Sequence, residues 1–158
     1  MRKFFLEALT KLAEKDKSII FIVGDVGFSF IEAFKARFPK QFLNIGIMEQ
    51  TMMGFAVGLS HVGLKPYVYT MSNFILLRPL EQLRNDICYG NANVKLFGVK
   101  GSEAYRFLGM SHNLYGTEET DILKNLPNLN SYFPTTEEET VDIINKEYAR
   151  QGPAYTRL

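Results

Sequence analysis

A glutamate and a histidine are the residues best placed to do chemistry. Glu49 follows the apolar run Phe42-Leu43-Asn44-Ile45 and a turn glycine, Gly46. It falls in the first turn of a helix predicted over 48–61, where the helix dipole favours a carboxylate. A carboxylate just past the carboxyl end of a strand also sits where open α/β sheets place their ligands. His112 lies in the stretch Lys100 to Thr117, which contains glycines and has little periodicity. Loops this long inside a compact domain are often functional, and imidazole can move a proton near neutral pH. Other reactive side chains read as structural. His61 stands at a helix end and is expected to be solvated. Cys88 falls on an apolar helix face and reads as a small buried hydrophobe. Arg78 and Arg84 share a helix with Glu81, which suits surface pairing. Glu137 to Glu139 open the last helix against its dipole.

The elements that must position these residues alternate along the chain. Residues 2–15 carry Phe5, Leu6, Leu9, Leu12 and Ala13 at helical spacing. Ser18 to Val23 is a continuous β-branched and aromatic run, the mark of a strand buried on both faces. Gly24-Asp25-Val26-Gly27 ends it. A short helix over 30–38 stops at Pro39, and Phe42 to Ile45 is the next strand. The helix over 48–61 carries small residues at Gly54, Ala56 and Gly58, which permit close packing. Pro66 to Thr70 and Val94 to Val99 read as strands either side of a helix over 76–90. After the long loop come a helix over 118–125, a strand from Asn130 to Phe133, the final helix, and a strand at Ala154 to Leu158. Strands alternating with helices predict a three-layer α/β/α fold with a mostly parallel sheet and helices on both faces. Neither a repeat nor a linker interrupts residues 1–158, so one domain is expected.

A net charge of +1 gives no electrostatic reason to bind nucleic acid or an anionic membrane. A single cysteine excludes an internal disulfide framework and suits a reducing compartment. Glu7 and Lys11 interrupt the apolar start of the chain, which argues against a signal peptide. No apolar run approaches the ~20 residues of a membrane span. The expected location is the cytoplasm.

Several segments, taken in order and spacing, resemble the pyrimidine-binding domain of the transketolase family of thiamine-diphosphate enzymes. They are Gly46-Ile47-Met48-Glu49-Gln50, Asn73-Phe74, Arg78-Pro79-Leu80-Glu81-Gln82-Leu83-Arg84-Asn85-Asp86, Ser111-His112-Asn113 and Leu126-Pro127-Asn128-Leu129. The resemblance implies the thiamine-diphosphate-binding fold and a transferase that moves a two-carbon ketol unit between sugars or sugar phosphates. In that family the glutamate of the turn hydrogen-bonds N1′ of the cofactor's aminopyrimidine, favouring the tautomer whose 4′ nitrogen takes the thiazolium proton. Glu49 matches that position. Phe74 matches an aromatic residue against the pyrimidine ring and is expected as an exposed aromatic near a strand end. Met71 and Leu77 are expected to complete an apolar wall. His112 matches a histidine facing the reacting substrate oxygen, and Asp25 an acidic residue near the cofactor. An apolar pocket around the glutamate would suit the role, because burial raises a carboxyl pKa and strengthens its hydrogen bond.

The departures from the family pattern shape the rest of the reading. Gly24-Asp25-Val26-Gly27 is not the family's Gly-Asp-Gly metal motif, and no asparagine follows at the right distance. The diphosphate and its Mg2+ or Ca2+ are therefore expected on a partner chain, with no metal ligand here. The chain stops about where the pyrimidine domain of relatives ends, without their third domain. The loop from Ser102 to Gly109 lacks an Asp that sugar-binding relatives use. Phe133-Pro134-Thr135 lacks an Arg used on sugar phosphate, which leaves Arg78 and Arg106 as candidate substitutes. The implied protein is one subunit of a split, oligomeric transketolase of carbohydrate metabolism. The pyrimidine-binding subunit of a 2-oxo acid dehydrogenase, a non-catalytic interaction module and a domain cut from a longer chain stay open as alternatives.

Overall fold

The computed structural model describes residues 1–101 and 103–158. Ser102, the first residue of the loop read as lacking an Asp, lies outside the described residues. The strands β1 (Ile19–Val23), β2 (Phe42–Asn44), β3 (Lys65–Met71), β4 (Lys95–Val99), β5 (Asn130–Tyr132) and β6 (Ala154–Arg157) form one sheet. Their order is β2-β1-β3-β4-β6-β5, with every pairing parallel. The last strand is therefore interior, inserted between β4 and β5.

Strand side chains alternate between two cores, as a sheet covered on both faces requires. Ile22, Val68, Leu96 and Tyr155 pack on one side with Met52, Ile75, Ile87 and Leu123. Those partners come from α3 (Glu49–His61), α4 (Ser72–Leu77), a π-helical stretch (Leu83–Tyr89) that continues α5 (Leu80–Gln82), and α6 (Glu118–Leu123). Phe21, Tyr67, Tyr69 and Phe97 pack on the other side with Phe5, Leu9, Phe34 and Ile144. These belong to α1 (Arg2–Lys15), α2 (Glu32–Arg37) and α7 (Glu137–Ala149). The aromatic side chains of this second core stack on one another, Phe5 lying 4.3 Å from Phe97 by ring centroids. The capping box at Thr136 and Glu139 starts α7. Together the helices and the sheet make the three expected layers.

The winding places the site. After β1 the chain enters α2 on one face; after β3 it enters α4 on the other. β1 and β3 are neighbours, so their carboxyl ends flank a topological switch point, where open sheets leave a crevice for ligands. No helix among the described residues is long and apolar enough to cross a membrane.

Two predicted elements change. The helix expected over 76–90 begins instead at Ser72, directly after β3, and is interrupted at Arg78 and Pro79. Ser72 to Leu76 are all buried, so the segment has no polar face and shows no helical periodicity. Proline then lacks the N–H that would continue the ladder. Inside the loop from Lys100 to Thr117, residues Glu103–Ser111 form a 3-10 helix with a kink at Gly109.

Candidate functional site

The turn before Glu49 is built by an asparagine. Asn44 ends β2, and its side chain takes hydrogen bonds from the backbone N–H of Asp25 at 3.1 Å and of Gly46 at 3.0 Å. Its amide donates to the Asp25 carboxylate at 3.1 Å. One side chain thus ties the turn after β1 to the turn after β2. Both turns use left-handed backbone, with φ of 55° at Asp25 and 79° at Gly46; aspartate tolerates that region better than most residues. Glu49 follows as the first residue of α3, only 3% exposed.

The Glu49 carboxylate is not alone in an apolar pocket. Nη1 of Arg78 donates to Oε1 of Glu49 at 2.8 Å. The same guanidinium lies over the ring of Phe74, 3.6 Å from its centroid. This corrects two expectations. Arg78 is not a surface partner of Glu81, because the break at Pro79 turns it back toward α3. Phe74 is not an exposed aromatic at a strand end; it stands inside α4 with 6% exposure.

His112 also contacts Phe74. Its ring packs edge-on to Phe74 at 5.0 Å and stacks on Tyr105 at 6.0 Å. The loop is held there by Asn73, whose amide donates to the Ser111 carbonyl at 2.7 Å. Asn113 closes the loop on itself through the carbonyls of Tyr105 and Gly109. Ser111 also sets the histidine tautomer. Its Oγ lies 2.7 Å from the Leu108 carbonyl and 2.8 Å from Nδ1 of His112. A hydroxyl has one proton and a carbonyl can only accept it, so Nδ1 must carry the proton shared with Ser111. The neutral ring then keeps its lone pair on Nε2, free to accept a proton.

Two buried polar atoms beside the cluster have no partner among the described residues: Oγ1 of Thr70 and Oδ1 of Asn73. A cavity of about 460 Å³ opens at the carboxyl ends of β1, β3 and β4. Asp25, Met71, Lys100 and Tyr105 line it, and Tyr105 is also the ring stacked on His112. Met71 is buried and Leu77 is exposed; they stand at opposite ends of α4. Arg106 lies on a separate, smaller cavity of about 270 Å³ with Lys100 and Asn113. The structure therefore brings Glu49, Phe74, Arg78 and His112 together, places Met71 and Asp25 on the adjoining cavity, puts Arg106 on the smaller cavity that shares Lys100, and leaves Leu77 exposed at the end of α4.

Behind the cluster a buried polar network fixes where α4 starts. The Tyr155 hydroxyl donates to Glu119, whose second oxygen takes a hydrogen bond from Arg157 at 2.9 Å. With its proton committed to a carboxylate, Tyr155 accepts from Ser72, 2.9 Å away. Burial and the Glu119 charge push the Tyr155 hydroxyl pKa well above its ordinary value. Ser72 is the first residue of α4, so the network locates Asn73, Phe74 and Arg78. Sequence reasoning assigned no role to Asn44, Ser111, Tyr105 or Tyr155. Asn44, a polar residue closing an apolar run, was the one with a signal: side chains of this type bond neighbouring backbone at turns.

Chemically, the site offers a buried carboxylate acceptor, an aromatic face and an imidazole with a free Nε2. Its acceptor and ring are both engaged by one flat N–H-bearing cation, so a single planar, hydrogen-bonding group can reach both. No cluster of His, Cys, Asp or Glu able to hold a metal ion occurs among the described residues.

Comparison with known proteins identifies the family. Residues 1–158 match the family described as "Transketolase, pyrimidine binding domain". The chain is 33% identical over 158 residues to an apulose-4-phosphate transketolase subunit of Phocaeicola vulgatus, covering 99% of this chain and 50% of that protein. It is 26% identical to a 6-deoxy-6-sulfo-D-fructose transketolase subunit of Clostridium sp. (strain MSTE9), covering 100% and 49%. Among solved structures, a split-gene transketolase described as an inactive beta4 tetramer superposes with a TM-score of 0.86 at 34% identity, covering 99% of this chain and 50% of that one. The chain spans about half the length of these relatives.

Proposed function

Because the chain belongs to the transketolase pyrimidine-binding domain family, we propose that it is the pyrimidine-binding part of a thiamine-diphosphate-dependent transferase assembled from two kinds of chain. The reaction is transfer of a two-carbon ketol unit between sugars or sugar phosphates. One observation carries this reading: the buried Glu49 carboxylate and the Phe74 ring are both engaged by the single Arg78 guanidinium, so an acceptor and an aromatic ring lie within reach of one flat, N–H-bearing group.

Thiamine diphosphate, when bound, supplies the carbanion chemistry. Glu49 holds the pyrimidine by a hydrogen bond, made strong because the carboxylate is shielded from water. Phe74 offers its face for stacking. Met71 and Asp25 border the cofactor from the adjoining cavity, and Leu77 adds apolar surface at the outer edge. His112 exchanges a proton with the substrate oxygen through Nε2, in the tautomer that Ser111 enforces. Arg106, and Arg78 once it leaves Glu49, are the cations for an anionic end of the sugar. The related subunits named above act on a sugar phosphate and a sulfo-sugar, both anionic, which supports this assignment.

The diphosphate and its Mg2+ or Ca2+ belong to a partner chain in an oligomer. An open face on this chain supports such a partner. A side chain added at Gly54 or Gly58 of α3 would touch nothing within 4 Å. Ile47, Met48 and Phe55, in and just before the same helix, and Leu77 and Leu80 are also exposed, apolar surface that suits an interface. The test is to assay the purified chain by itself. Weak thiamine-diphosphate binding and no ketol transfer are expected; turnover by the pure chain would sink the two-chain reading.

A further inference from the structure

Arg78 does two things at once that the proposed cofactor ring would do. It donates to the buried Glu49 carboxylate at 2.8 Å. Its guanidinium carbon also lies over the Phe74 ring, 3.6 Å from the centroid. A guanidinium is planar and presents N–H groups in its own plane, like an aminopyrimidine. Glu49 and Phe74 cannot serve both groups at the same positions.

We infer that Arg78 is a positioning residue that stands in the pyrimidine slot of the unloaded chain and yields that slot to the cofactor ring. This rests on the proposed function and extends it. The physical need is clear from burial. Glu49 is 3% exposed, and a buried carboxylate without a partner is costly. Arg78 satisfies the charge before the cofactor arrives and keeps the carboxylate pointed at Phe74. The Arg78 side chain is itself 40% exposed, so it can leave toward water without crossing the core. Its position just before Pro79, at the break between α4 and α5, leaves it outside the regular helix ladder on either side. The exchange trades one planar donor for another, and Glu49 is partnered before and after it.

Arg78 therefore competes with the ring, and its removal has opposite effects on binding and on stability. A residue with a purely structural role would weaken both. A residue that contacts bound cofactor would weaken binding. The experiment uses the complex of this chain with the partner that co-purifies with it, titrated calorimetrically with thiamine diphosphate and Mg2+. Wild type, Arg78→Ala, Arg78→Lys and Glu49→Gln are compared, and thermal melting is recorded for each without ligand. The inference expects Arg78→Ala to bind about tenfold more tightly, a change of about 1.4 kcal/mol by the standard conversion, while melting at a lower temperature than wild type. Arg78→Lys keeps the charge but not the planar group, and falls between the two. Adding Glu49→Gln to Arg78→Ala recovers the lost stability, because no unpaired charge remains. Equal or weaker binding by Arg78→Ala overturns the inference while leaving the family reading intact. Binding by Glu49→Gln as tight as wild type overturns the slot assignment and the exchange together.

Discussion

Gly98 carries a prediction that joins the fold to the site. It lies in β4, where a side chain would meet the Tyr155 hydroxyl, Ser72 Oγ at 2.7 Å and Tyr155 Cε2 at 2.9 Å. None of these can move freely. Tyr155 is fully buried and bonded to Glu119, and Ser72 is 4% exposed at the start of α4. Gly98→Ala should therefore overpack this position, at ~1–3 kcal/mol. For a chain of this size that is a melting temperature lower by roughly 2–12 °C. Tyr155→Phe alone removes the hydroxyl bonded to Glu119 and should cost ~1–3 kcal/mol. Combined, the two changes should partly compensate, because the atom that the new methyl meets first is gone. The double variant should be more stable than the sum of the singles predicts, by at least ~0.5 kcal/mol. Thermal and urea denaturation of the four proteins measure this. Relief stays incomplete, since the ring carbon and Ser72 Oγ remain close. A Gly98→Ala protein within about 0.5 kcal/mol of wild type, or strict additivity, would refute the claim that the glycine is required by close approach of the network.

Other consequences are simpler to test. Ser111→Ala should release Nδ1 of His112 and shift the neutral ring toward the Nε2-protonated tautomer; nitrogen chemical shifts in a long-range proton–nitrogen NMR spectrum report it, and only His61 must be distinguished. An unchanged tautomer means Ser111 does not set it. Burial raises the Asp16 carboxyl pKa, but hydrogen bonds from Lys65, Ser18 and Tyr148 outweigh that and hold it far below its usual 3.8. The carboxylate's contribution is then present above pH 3.8 and lost as pH falls toward the depressed folded value. Asp16→Asn should lose ~1–3 kcal/mol at neutral pH, with the difference from wild type shrinking below about pH 4; a deficit that persists undiminished at low pH would contradict it. Burial pushes the Cys88 thiol up to about 12, so thiol reagents at pH 8 should label it only after denaturation.

Much of the architecture is legible in the residues. β1, β3 and β4 announce themselves as unbroken apolar runs because both faces of the sheet are covered. α1 and α7 show a polar face because each has one side in water. α4 was hidden for the same physical reason that made the strands visible: Ser72 to Leu76 are buried all round, and without a solvent face there is no helical period. The site was legible only as an ordered set of motifs. Nothing in the spacing of Glu49 and Arg78, 29 positions apart, signals that they pair; the link is created by the break at Pro79 and by the packing of α5 and the π-helical stretch against α3. The Asn73 bond to the His112 loop likewise spans 38 positions and follows from tertiary packing alone.

The role proposed for Glu49 is activation of a bound thiamine ring. Its most direct test is the rate of ketol transfer by the assembled complex carrying Glu49→Gln, with assembly checked by size-exclusion chromatography. An intact complex whose kcat falls by a factor of ~100 or more is expected, as when a positioned proton-transfer partner is removed. An intact complex that transfers at the wild-type rate would contradict it, and Glu49 would then be a buried helix-start carboxylate neutralised by Arg78.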